Sequence, residues 1–87
     1  MRRIGRKNRR IRLLRWVFQR ENRLLTCQLD RDDRQSSYTV SLLPHWDLRH
    51  AAAETFDASV SAFRRHAAVA DRLRSQGWTL AAYGVVR

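Results

Sequence analysis

The stretch Asp57 to Trp78, DASVSAFRRHAAVADRLRSQGW, commits the chain to one long helix and so limits what the rest can become. Neither Gly nor Pro interrupts Ala58 to Gln76, and Asp57 is placed to accept a backbone N–H as the N-cap. Val60, Phe63, Ala67, Ala70 and Leu73 recur at steps of three and four, which aligns them as one apolar stripe. Arg64, Arg65, Asp71, Arg72 and Arg74 fall off that stripe, toward water. Gly77 supplies the left-handed residue that ends a helix, and Trp78 an apolar anchor back onto the last turn. The stripe needs a cover, and the remaining segments read as short strands.

Leu14, Trp16 and Phe18 alternate with Arg15, Val17 and Gln19, a period of two over about residues 12–20. The polar run Arg20 to Arg23 suits a hairpin loop. A second strand over about 24–30 turns Leu25, Cys27 and Leu29 one way, Thr26 and Gln28 the other. Arg31 to Ser37 is a loop by composition, and a third strand over about 38–43 points Tyr38, Val40 and Leu42 inward. Pro44 breaks it, since proline has no N–H for a ladder. Residues 49–56 are read as a fourth strand ending at Phe56, because a cap at Asp57 needs a non-helical approach; 78–83 form a short fifth. Hairpin connections make these an antiparallel meander with the helix on one face, an α+β fold. Arg15, Gln19, Thr26, Gln28, Thr39 and Ser41 would form a polar opposite face, either solvated or a binding surface.

Eighty-seven residues, 44% of them hydrophobic and 30% charged, make one globular domain. No apolar run approaches the roughly 18 residues of a membrane span. A secretory signal would need an apolar stretch that the start lacks, so the cytoplasm is the expected location. One cysteine cannot form an internal disulfide. The formal net charge is +10, unevenly spread. Residues 1–23 hold ten Arg or Lys against Glu21 alone, a net +9, whereas residues 24–87 hold eight Arg against seven acids, a net +1. A disordered basic arm over 1–10 therefore precedes a nearly neutral domain over 11–87.

The chemistry-bearing residues are few. Cys27 could pair with His45, His50 or His66 as a nucleophile, but its alternation puts it inside as an apolar filler. His45, Asp47 and His50 match no zinc spacing, and Asp32 and Asp33 are flanked by Arg31 and Arg34 as in a solvated turn. No glycine-rich phosphate loop or nucleophile elbow is present, so the expectation is a non-enzymatic protein with no cofactor and no metal. What remains is charge. Arg2, Arg3, Arg6, Lys7, Arg9, Arg10 and Arg12 come within twelve residues without an acid, a composition that binds nucleic-acid phosphates by counterion release. Arg64 and Arg65 on the helix could add to it, and Trp46, after Pro44, could stack on a base. Folded back over the rim of the core, Trp46 would do neither.

Phe56-Asp57 ahead of the helix and Leu73-Arg74-Ser75-Gln76-Gly77-Trp78 at its end resemble small bacterial proteins of unknown function, in which strand hairpins lead to a capped helix closed by L-x-x-G-W. The likeness covers about residues 12–83 and rests on a cap and a stop. Four antiparallel strands followed by a helix are also similar in topology to the Whirly-like and transcriptional-coactivator single-stranded-DNA-binding domains, with no shared motif. A fold does not carry a function with it. The expected partner is nucleic acid, DNA or RNA, without a membrane. In the alternative, the domain is a protein-interaction or homodimerisation module whose arm only aids solubility.

Overall fold

A computed structural model describes residues 10–85. Five strands, β1 (Arg10–Arg20), β2 (Arg23–Asp32), β3 (Ser37–Pro44), β4 (Ala52–Phe56) and β5 (Thr79–Val85), form one antiparallel sheet in the order β4-β3-β2-β1-β5. The helix α1 (Ser59–Ser75) crosses one face. β1 to β4 are the expected meander. β5 closes on the free side of β1, so β4 and β5 are the two edges, and α1 carries the chain from one to the other. Among the described residues no helix is long and apolar enough to cross a membrane.

β1 begins at Arg10, opposite Asp32, one residue inside the segment expected to be arm. Residues 1–9 lie outside the described part. β3 ends on Pro44, paired with Leu25; a terminal position spares the ladder the missing donor. The fourth strand is shorter than expected. Asp47 accepts the Arg49 N–H at 3.2 Å and meets His50 Nδ1 at 2.6 Å, which winds Leu48–His50 into a 3₁₀ turn before β4 starts.

The stop of α1 is the one its sequence announces. Gly77 adopts φ 93°, its N–H reaches Arg74 O at 3.1 Å, and the Trp78 N–H reaches Leu73 O at 3.0 Å. This is a Schellman motif, with Trp78 seated against the last turn. The start differs. Ala58, extended at φ −114° and ψ 138°, is the N-cap and offers no side-chain bond, while Asp57 stands one residue too early.

The stripe is also rotated. α1 buries Ala62, His66, Ala70 and Leu73, whereas Val60, Phe63 and Ala67, expected in the core, are exposed. The shift is roughly 60° about the axis. Two alanines let the helix lie close to the sheet, and His66 is tolerated inside because Nε2 has a partner, the Cys27 carbonyl oxygen at 3.1 Å. Phe18, Leu25, Cys27, Leu29 and Val40 complete the core with Trp78, and Leu14, Trp16, Tyr38, Leu42 and Phe56 pack partly buried around it.

The far face departs from expectation as well. Thr26, Gln28, Thr39 and Ser41 are buried rather than solvated, together with Asp30, Asp32 and Ser37. They are short or paired side chains on the two central strands. Across β1, β2 and β3 they form rows: Arg15–Gln28–Ser41, Arg12–Asp30–Thr39 and Arg10–Asp32–Ser37.

Candidate nucleic-acid interface

The turn between β1 and β2, the loop after β3 and the C-terminal end of α1 all meet at one end of the sheet. Arg20 and Arg23 face each other across the two-residue turn Glu21-Asn22, in which Glu21 takes φ 56°. Trp46 follows β3, and Trp78 follows the Gly77 stop. These four side chains form one contiguous cluster. Trp46 and Trp78 lie nearly parallel, 13° apart with ring centroids at 6.0 Å. The Arg23 guanidinium lies over the Trp46 ring at 4.8 Å, and Arg20 sits over Trp78 at 5.3 Å. Arg20 Nη1 also donates to Gln76 O at 2.8 Å, tying the hairpin to the helix end.

A guanidinium held over an indole by cation–π attraction keeps N–H donors that can bind a phosphate oxygen. Neither Arg20 nor Arg23 has a carboxylate within ion-pair distance among the described residues. Trp46 is 46% exposed. Its ring is already in contact with Trp78 and Arg23, so a base stacking on it would have to share the ring with them. On the opposite face of the sheet, Arg15, Thr26, Gln28, Leu43, His45 and Leu48 line an open hollow of about 340 Å³. In it Thr26 Oγ1 and His45 Nε2 are 2.6 Å apart, and Arg15 extends into solvent.

The other candidate arginines are placed differently. Arg12 is held by the buried carboxylate of Asp30 at 3.2 Å, and Arg10 stands opposite Asp32 in the ladder. Arg65 is paired with Glu54 at 2.7 Å. Arg64 is exposed and has no acid partner among the described residues. Arg2, Arg3, Arg6, Lys7 and Arg9 lie outside the described residues. The arm joins the fold at Arg10, the opposite end of β1 from Arg20, about 33 Å away at strand rise. The structure therefore brings Trp46 together with Arg20, Arg23 and Trp78, at the opposite end of β1 from Arg10.

Arg20, Arg23 and Trp78 carried no signal of this role in the sequence. The two tryptophans are 32 positions apart, and the arginines read only as polar turn residues. The spacing of Arg20 and Arg23 across a two-residue turn, both on the helix side of the sheet, was the one available hint.

The thiol of Cys27 is fully buried, and burial pushes it up to about 11 against a smaller opposing pull from Arg65. Its near neighbour His66 bonds the carbonyl rather than the sulfur. Burial also pushes the His66 imidazole below its ordinary value, partly opposed by that backbone bond. His45 turns to Thr26 while Asp47 and His50 bond each other, so the three loop residues do not converge, and no metal-holding cluster occurs among the described residues.

No protein-family model matches the chain, and neither a curated protein nor a solved structure is similar to it.

Proposed function

We propose that this chain is a non-enzymatic domain that binds nucleic acid. The basic residues Arg2, Arg3, Arg6, Lys7 and Arg9 supply long-range attraction, and the cluster of Arg20, Trp78, Trp46 and Arg23 is the folded contact. The observation that carries this is the cluster itself: two arginines with no carboxylate partner among the described residues, each over a tryptophan ring at one end of the sheet. Most of the acids that could neutralise the fold are spent elsewhere, Asp30 on Arg12, Asp33 on Arg31, Asp47 on Arg49, Glu54 on Arg65 and Asp71 on Arg74. On the far face of the sheet, Arg15, Thr26, Gln28 and His45 offer further donors and acceptors for a base edge or sugar.

The test is a titration of DNA and RNA oligonucleotides against the full chain, the chain without residues 1–9, and Arg23→Ala, at several salt concentrations. Intact protein should lose affinity steeply between low and moderate salt. Removing the segment should flatten the slope by several units. Arg23→Ala should reduce it by about one unit and weaken all sequences alike. Unchanged affinity in both variants would sink the proposal, and the DNA and RNA arms identify the polymer.

A further inference from the structure

The hollow on the far face of the sheet is built from a mixed set of groups. Strand pairing aligns Gly84, Arg15, Gln28, Ser41 and Ala53 as one row across all five strands. Arg15 is the one charged residue of the row. Beside it stands Gly84, where even a Cβ would meet nothing within 4 Å. Asp30, two positions along β2 from Gln28, is taken by Arg12 at 3.2 Å and by the Gln28 amide at 3.3 Å. Arg15 has no ion-pair partner among the described residues, and it lines the hollow. Thr26 and Gln28 are only 1% and 9% exposed. Gln28 spends one amide N–H on Asp30 and keeps the other, with its carbonyl oxygen. Thr26 and His45 share one hydrogen bond, 2.6 Å from Oγ1 to Nε2. Leu43 and Leu48 supply the apolar wall, and Leu48 is 64% exposed although the Asp47 turn fixes its place.

We propose that this hollow holds a single nucleotide, its phosphate on Arg15, its base against Leu43 and Leu48 with the polar edge on Gln28. The inference deepens the nucleic-acid reading above and rests on it. A volume of about 340 Å³ lies at the small end of the range for ligand sites, which suits one nucleotide rather than a length of strand. Each part of the lining answers to a part of that ligand. An unpaired guanidinium is a fork of N–H donors matched to phosphate oxygens. A carboxamide with an N–H and an oxygen to spare suits the donor–acceptor edge of a base. The flat apolar face of a base covers leucine methyls that otherwise meet water. The Thr26–His45 pair adds a hydroxyl that still has acceptor capacity for the sugar. A fatty acid would satisfy Arg15 and the leucines but would strip water from Gln28 and Thr26 without replacing it, which costs affinity. An inorganic anion would use Arg15 alone.

Heteronuclear NMR titration of the full chain tests this, with adenosine and uridine 5′-monophosphates, a trinucleotide, inorganic phosphate and octanoate as probes. The monophosphates should shift the amide signals of Thr26, Gln28, Leu43, His45 and Leu48 saturably. Arg15→Ala should weaken them about tenfold, the loss of a charged hydrogen bond, and Leu48→Ser about threefold. Both positions are exposed, and thermal unfolding confirms that the variants fold. Tighter binding of the trinucleotide identifies the ligand as part of a strand, and equal binding identifies a free nucleotide. Monophosphates that cause no saturable shift at the hollow overturn the proposal. So does affinity that both variants leave unchanged, or octanoate or phosphate bound there as tightly as the monophosphates. The nucleic-acid reading fails separately, at Arg23 and residues 1–9. Oligonucleotides that still lose affinity in Arg23→Ala keep that reading even when the hollow takes no nucleotide.

Discussion

His66 donates its Nε2–H to the carbonyl oxygen of Cys27 at 3.1 Å, tying the middle of α1 to the central strand. The ring also meets the edge of Trp16 with centroids 4.9 Å apart, so one buried imidazole joins helix, β1 and β2. It does this as a neutral group, since burial disfavours its charged form.

The pH dependence of stability follows from that. The folded His66 pKa lies below its unfolded value of 6.5, so the unfolded chain binds the extra proton more readily. His66's contribution is complete above that value and declines as pH falls below it, with a slope of at most about 1.4 kcal/mol per pH unit. Thermal midpoints measured from pH 7.5 down to 5.5 should fall in the native chain and fall less in His66→Gln. Parallel profiles for the two would refute the assignment.

Cys27 should behave as packing. A fully buried thiol raised to about 11 presents almost no thiolate at neutral pH. Alkylation by iodoacetamide should proceed only as fast as the fold opens, and denaturant should bring the full rate. Rapid labelling of the native chain would show that β2 is accessible where the structure closes it.

The helix start can be improved. Ala58 already holds the extended backbone of an N-cap, and the first turn contains no acid. Ala58→Ser or Ala58→Asp should raise stability by about 1 kcal/mol, through a bond to an unsatisfied N–H of the first turn. Asp57→Ala, by contrast, should cost no more than about 0.5 kcal/mol. Chemical denaturation distinguishes these directly; a large loss at Asp57 would restore it as the cap.

Much of the architecture was already written in local chemistry. Period-two alternation marked the strands, and the Gly77-Trp78 stop needs only a glycine with positive φ and an apolar follower. These features depend on near neighbours, so the sequence alone determined them. The phase of α1 was different. Phe63 and Val60 are more apolar than Ala62 and His66, yet the latter pair faces inward. Their choice depends on a close approach to β2 and on a carbonyl 39 residues away that satisfies the imidazole. The Arg–Trp cluster was hidden for a similar reason. Its members come from a turn, a loop and a helix end, which only the closed sheet brings into contact. Local pattern determined which elements exist and how they stop. Long-range packing decided which side of each is buried, and so which residues remain free to meet a partner.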